Sequence, residues 1–169
     1  MTTLRDIELY LVRHAIAAER GPDWPDDSAR PLTPDGASKF RKVVQGLANF
    51  GVQVDIILTS PFVRCRQTAD LLADGLPGKP RVHAVDALAP GGGYTAALAE
   101  VTRIAKRPRI AVVGHDPDIG HFASKLLGLK KPVEFRKGAV CRLDVDGLPP
   151  GAPAQLRWFA TPRMLRRIA

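Results

Sequence analysis

Apolar positions along this chain follow two patterns that alternate. Short continuous runs, Leu9 to Val12, Ile56 to Leu58 and Ile110 to Val113, have the length and uniform character of strands buried on both faces. Between them, apolar residues recur at helical spacing. Phe40, Val43, Val44, Leu47 and Phe50 share one helix face. That helix has a start signal in Thr33 as N-cap, Pro34 at the first position and Asp35 favourable to the dipole, and Gly51 stops it. Ser60-Pro61 is expected to cap a second helix carrying Val63, Ala69, Leu71 and Leu72. The whole pattern predicts strands over 7–13, 54–59, 81–85 and 110–113, and helices over 34–50, from 61 onward, over 94–105 and over 119–127. Two late strands, 140–145 and 155–159, flank the turn-rich stretch 147–153. Strand and helix alternate, so an α/β sandwich around a mostly parallel sheet follows. The segment from His14 to Pro31 breaks the alternation, with three prolines and little apolar character. A loop that long inside a compact domain is usually functional.

Composition narrows the class. The 169 residues are expected to form one domain over 1–169, with 45% hydrophobic and 25% charged residues, enough for one core. No apolar run is long enough to span a bilayer, and Arg5, Asp6 and Glu8 argue against a secretory leader. Cys65 and Cys141 lack zinc-ligand spacing and are expected as reduced core fillers of a cytoplasmic protein. Net charge is +8, which suits an anionic partner. The basic residues are scattered apart from Arg157, Arg163, Arg166 and Arg167, and no aromatic ladder interleaves with them. Neither a nucleic acid nor a membrane is therefore expected as partner.

The chemistry gathers where strands stop. Arg13 and His14 follow the first strand, Ser60 the second, with Arg64 four residues on in the next helix, and His115 follows the fourth. In a parallel sheet those ends share one edge, where ligands bind. Arginine forks suit phosphoryl oxygens, and an uncharged imidazole is a nucleophile near neutral pH. Phosphoryl transfer needs mainly positioning and charge stabilisation.

The motifs at these ends carry a family resemblance. Leu11-Val12-Arg13-His14-Ala15 resembles the arginine-histidine-glycine signature of the histidine phosphatase (phosphoglycerate mutase-like) superfamily, with alanine for glycine. Ser60-Pro61-Phe62-Val63-Arg64-Cys65-Arg66-Gln67-Thr68-Ala69 resembles its second block, and Val113-Gly114-His115-Asp116-Pro117 its third. Ala29-Arg30-Pro31-Leu32-Thr33-Pro34-Asp35-Gly36 is similar to a segment of the small SixA-type phosphohistidine phosphatases. The resemblance implies a three-layer α/β/α sandwich. It implies His14 as nucleophile, Arg13 and Arg64 as the arginines that hold the phosphoryl oxygens, and His115 as a second stabilising histidine. Arg30 is implied as a further phosphate contact, against a plain reading as a solvated loop arginine. No metal or other cofactor is expected.

The chain departs from the family where many members place an acidic general acid. Its loop reads Val85-Asp86-Ala87-Leu88-Ala89-Pro90, with alanine where glutamate is expected, and Asp86 is its only carboxylate. A phosphate ester benefits from an acid, whereas a protonated phosphoimidazole leaves as neutral imidazole. The expected substrate is therefore a phosphorylated protein, such as a histidine phosphotransfer domain, acted on by a monomer. A general phosphomonoesterase for small phosphorylated substrates and a non-catalytic phosphate-binding module are the alternatives. Lys137 is expected in a solvated turn, and His83 and His121 in structural roles.

Overall fold

The computed structural model describes residues 5–169. The expectation about a leader rests partly on positions 1–4, which lie outside the described residues. In chain order the main elements are β1 (Arg5–Arg13), α1 (Pro34–Asn49), β2 (Ile56–Thr59), α2 (Val63–Gly75), β3 (Arg81–Ala84), α3 (Tyr94–Ile104), β4 (Arg109–Gly114), α4 (Asp118–Leu127), β5 (Val140–Gly147), β6 (Gln155–Ala160) and α5 (Pro162–Arg167). The strands form one sheet in the order β3-β2-β4-β1-β5-β6. β1 to β4 are parallel, and β5 and β6 run antiparallel to their neighbours.

Alternation along each central strand divides the core into two halves. Leu9, Leu11, Leu58, Ile110 and Val112 face α3 and α4, packing with Val101, Ile119 and Phe122. Tyr10, Val12, Ile57, Ala111 and Val113 face α1, α2 and α5, packing with Phe40, Leu47, Leu72 and Leu165. The result is the expected three-layer α/β/α sandwich. Among the described residues, no helix is long and apolar enough to cross a membrane.

The helix signals act as read for α1. The Thr33 side chain accepts from the Gly36 N–H, Pro34 opens the helix, and Gly51 follows its end with φ 85°. Two expectations are revised, and one element was not foreseen. Val54 and Asp55 precede β2 instead of joining it. Ser60 is not the cap of α2: Phe62 occupies that position, without a side-chain cap bond. The basic C-terminal stretch forms α5, capped by Thr161. It packs so closely on α1 that a Cβ at Gly46 would collide with the Leu165 carbonyl.

The long loop after β1 is tied down along its length. Ile16 to Ala18 pair with Pro31 to Thr33, through Ala18 N–H to Pro31 at 2.8 Å and Thr33 N–H to Ile16 at 3.0 Å. α2 holds the same two stretches: Thr68 Oγ1 accepts from the Ala15 N–H at 3.0 Å, and Gln67 Oε1 from the Leu32 N–H at 2.8 Å. Gly36 lets the first turn of α1 lie against the Ile16 carbonyl, which an added Cβ would strike. Gly36→Ala should therefore destabilise the fold by about 1–3 kcal/mol, the usual range for forced overpacking. A lowered urea midpoint at unchanged slope is the expected readout.

Candidate active site

Three adjacent parallel strands bring their carboxyl ends to one edge. Register pairs Arg13 of β1 with Gly114 of β4, so the next residues, His14 and His115, emerge side by side. The His14 N–H donates to the Gly114 carbonyl at 3.1 Å, and the Ser60 N–H after β2 donates to Val113 at 3.1 Å. Gly138, with φ 83°, directs its N–H to the Arg13 and His14 carbonyls, so the turn before β5 clasps the end of β1. The two imidazole centroids lie 5.4 Å apart.

His14, Arg13, Arg64, His115 and Arg30 line one cavity of about 350 Å³, together with Arg20, Lys137, Pro90, Glu19 and Asp116. His14 is 5% exposed, His115 3% and Arg64 2%, so the reactive groups sit at its depth. Arg30, at 8%, is not a solvated loop arginine. Its burial follows from its partners. Its Nε donates to Asp27 Oδ1 at 3.0 Å and its NH1 to the Ala18 carbonyl at 2.6 Å. Arg64 meets the same aspartate, through NH2 to Oδ2 at 3.0 Å and NH1 to the Asp27 carbonyl at 2.8 Å. Arg13 donates to the Phe135 carbonyl at 2.6 Å. The Nε atoms of Arg13 and Arg64 are buried with no hydrogen-bond partner in the protein. Both residues line the cavity beside Arg20, Arg30 and Lys137, and this concentration of cationic side chains suits an anion.

Hydrogen bonding sets the protonation of His14. Its Nδ1 lies 2.7 Å from the Ala15 carbonyl. A carbonyl only accepts, so Nδ1 carries the proton and the lone pair is on Nε2. Burial first, then the charges of Arg64, Arg13 and Lys137, hold this imidazole down at about 4, against the opposing Ala15 hydrogen bond. The arginines alone are thus not the leading cause. His115 is held at about 3 by burial and by Arg64 and His14. Its Nε2 lies 2.7 Å from Ser60 Oγ, and Phe62 packs edge-on to its ring with centroids 5.2 Å apart. Ser60 therefore orients His115. Cys65, fully buried beside the same ring, is pushed up to about 12 by burial, as befits a core thiol.

Asp27 is the functional residue that sequence reasoning missed. Burial raises its carboxyl, but hydrogen bonds and charge from Arg30 and Arg64 outweigh this and hold it low. The available signal was its i,i+3 spacing to Arg30, yet Asp23 and Asp26 share the loop and nothing in the pattern selects among them. Lys137 is exposed, as expected of a turn, but it lines the cavity. His83 and His121 are solvent-exposed and line no part of this cavity. Asp86 is exposed and stands outside the cavity wall. The following Ala87, Leu88 and Ala89 instead line a separate apolar cavity of about 260 Å³ on the other side of His115. Among the described residues, no cluster of three or more His, Cys, Asp or Glu is gathered for a metal ion.

Comparison with known proteins bears on the family and the fold. Residues 9–89 match the histidine phosphatase superfamily (branch 1). An uncharacterised protein of Picosynechococcus sp. is 39% identical over 79% of this chain and 87% of its own length. The phosphohistidine phosphatase SixA of Escherichia coli K12 is 27% identical over 83% of this chain and 86% of its own. Among solved structures, the protein histidine phosphatase SixA complexed with tungstate superposes with a TM-score of 0.81 at 24% identity, covering 93% of this chain and 98% of that one. A phosphoserine phosphatase from Entamoeba histolytica, in complex with 3-phosphoglyceric acid, shares the fold at a TM-score of 0.65 and 16% identity, covering 94% and 99%.

Both histidines resist protonation, and this has a measurable sign. In the unfolded chain they titrate near 6.5, and in the fold at about 4 and about 3. Between those limits the unfolded chain binds more protons, so stability falls as pH drops from about 6.5 toward 4. Urea midpoints measured from pH 7 to 4.5 should decline, and His115→Gln should make the decline shallower.

Proposed function

The chain belongs to the histidine phosphatase superfamily, and from that premise we propose that it is a phosphatase working through a covalent phosphohistidine at His14, with protein-borne phosphohistidine as its substrate. One observation carries the reading. A buried imidazole, neutral and with its free Nε2 determined by the Ala15 hydrogen bond, shares a cavity with the arginine side chains Arg13, Arg30 and Arg64.

In the proposed reaction Arg13 and Arg64 hold the phosphoryl oxygens, Arg30 adds charge from the loop, and His115 faces the same group. His14 Nε2 attacks phosphorus, its N–P bond forms, and the bond to the leaving group breaks in line. Water then attacks phospho-His14, releasing inorganic phosphate and restoring the neutral imidazole. Asp27 takes no part in bond making. It holds Arg30 on one carboxylate oxygen and Arg64 on the other, with Arg20 3.4 Å from the first.

Two findings favour an N–P substrate. Ala87 stands where an acid is expected and Asp86 lies off the cavity wall. A phosphoimidazole protonated on its ring leaves without an enzymic acid. The 27% identical relative from E. coli is also named for phosphohistidine. Phosphomonoester hydrolysis is the second reading, favoured by Glu19 and Asp116 on the cavity wall, where a carboxyl group could protonate an ester oxygen.

Incubation with a phosphohistidine protein labelled in its phosphate should leave acid-labile label on this chain. His14→Ala should abolish both label and turnover. Arg64→Ala should lower kcat by roughly 10²–10³, the usual loss for removing a charge-stabilising donor. Near-normal turnover in either variant overturns the assignment, and binding of the phosphohistidine protein with neither label nor phosphate release makes the site a binding module. A phosphohistidine peptide should also exceed p-nitrophenyl phosphate in kcat/KM; the reverse order selects the ester reading.

A further inference from the structure

The cluster of C-terminal arginines plays no part in the chemistry above, yet it lies close to it. A second cavity, of about 1080 Å³, runs between the turn before β5, the start of α1 and α5. Arg13 and Lys137 line both this groove and the phosphate cavity, so the two adjoin. Its wall carries Arg136, Arg163 and Arg166, and none of the three forms an ion pair among the described residues. Lys39, also on the wall, is already engaged with Asp35 at 2.7 Å. Glu134 is the single acidic residue in the lining. The apolar part is formed by Phe135 and Phe159, packed edge to face at 5.0 Å, with Pro162 beside them.

We propose that this groove is a docking surface for an acidic stretch of the protein that carries the phosphoryl group, seated beside the phosphorylated side chain as that side chain reaches His14. The inference rests on the reading that the substrate is protein-borne. Three features select this occupant. The groove is far larger than a phosphoryl group requires and shares Arg13 and Lys137 with the cavity where one would be held. Its unpaired guanidinium forks match Asp and Glu carboxylates, and charge complementarity of this kind governs encounter and selectivity. Its aromatic residues are set into the protein, Phe135 buried and Phe159 half-buried, so they offer no exposed platform for stacked bases.

Arg136 and Arg163 are both exposed, so their reversal spares the core. The test uses two phosphohistidine peptides, alike except that one has Asp and Glu flanks and the other Ser and Gln flanks. The wild-type protein should favour the acidic peptide by roughly tenfold in kcat/KM. The double variant R136E/R163E should lose that preference while turning over the neutral peptide and phosphoramidate as the wild type does. R136Q/R163Q should fall between them, which guards against a folding defect in the reversed variant. An unchanged preference in R136E/R163E overturns the docking surface. Failure of the wild type to process either peptide, with p-nitrophenyl phosphate still hydrolysed, removes the phosphohistidine reading alone. The groove is then judged by fluorescence anisotropy of the same labelled peptides. Acidic-selective binding that the charge reversal abolishes supports it, and equal binding overturns it. Retention of duplex DNA or phosphatidylglycerol vesicles, with no binding of the acidic peptide, also overturns it.

Discussion

Arg30 and Arg64 are held on opposite oxygens of one carboxylate, Asp27, and the rest of the site depends on that sharing. Two unit charges about 5 Å apart repel by roughly 3 kcal/mol at an effective dielectric of 20. Buried guanidinium groups cannot be gathered at a cavity against such repulsion without an acceptor between them. The aspartate supplies it, and main-chain carbonyls of Ala18, Asp27 and Phe135 take up further N–H groups. One carboxylate cannot neutralise two cations, however, and Arg13 adds a third with Asp116 no nearer than 3.9 Å. The cavity therefore keeps a positive excess, which a tetrahedral anion offsets.

Burial, reinforced by the same excess, governs the imidazoles. A histidine in a basic, buried setting gives up its proton readily, which leaves its nitrogen lone pair available. The electrostatics that would bind a phosphoryl group thus also prepare a neutral nucleophile, and no separate general base is required. What remains is orientation. The Ala15 carbonyl chooses which nitrogen of His14 is free, and Ser60 and Phe62 seat His115. These are short-range backbone and packing effects, so the precision of the site comes from the strand ends themselves.

Much of this was legible in the chain. Buried parallel strands read as unbroken apolar runs, which revealed β1, β2 and β4, and strand ends in a parallel sheet converge whatever their spacing in sequence. His14, Arg64 and His115 could be brought together on that ground. The features that stayed hidden depend on three-dimensional neighbours. Ser60 next to a proline looks like a helix cap, and only the approach of β4 reveals that its hydroxyl serves His115. Asp27 looks like any of three aspartates in a polar loop until the loop folds over α2. α5 is short and basic, and its helical form depends on the docking of Leu165 against α1, which periodicity over six residues cannot report.

The missing carboxylate after β3 is a matter of loop geometry as well as composition. Gly91 donates its N–H to the Asp118 carboxylate at 2.9 Å, and a Cβ at Gly92 would strike the Ala87 carbonyl. The loop is thereby folded tightly on itself and tied to the start of α4. Its alanines and Leu88 face the apolar side of His115, while Asp86 stays at the surface. Replacing Ala87 in sequence alone would place a carboxylate in a cavity built from Tyr94, Ile119 and Phe122, where burial disfavours its ionised form. In the proposed reaction this chain contributes nucleophile and charge, and the departing group must bring its own proton. A phosphorylated imidazole does so near neutral pH and an alkyl ester does not, so the shape of this loop bears on substrate choice as directly as the arginines do.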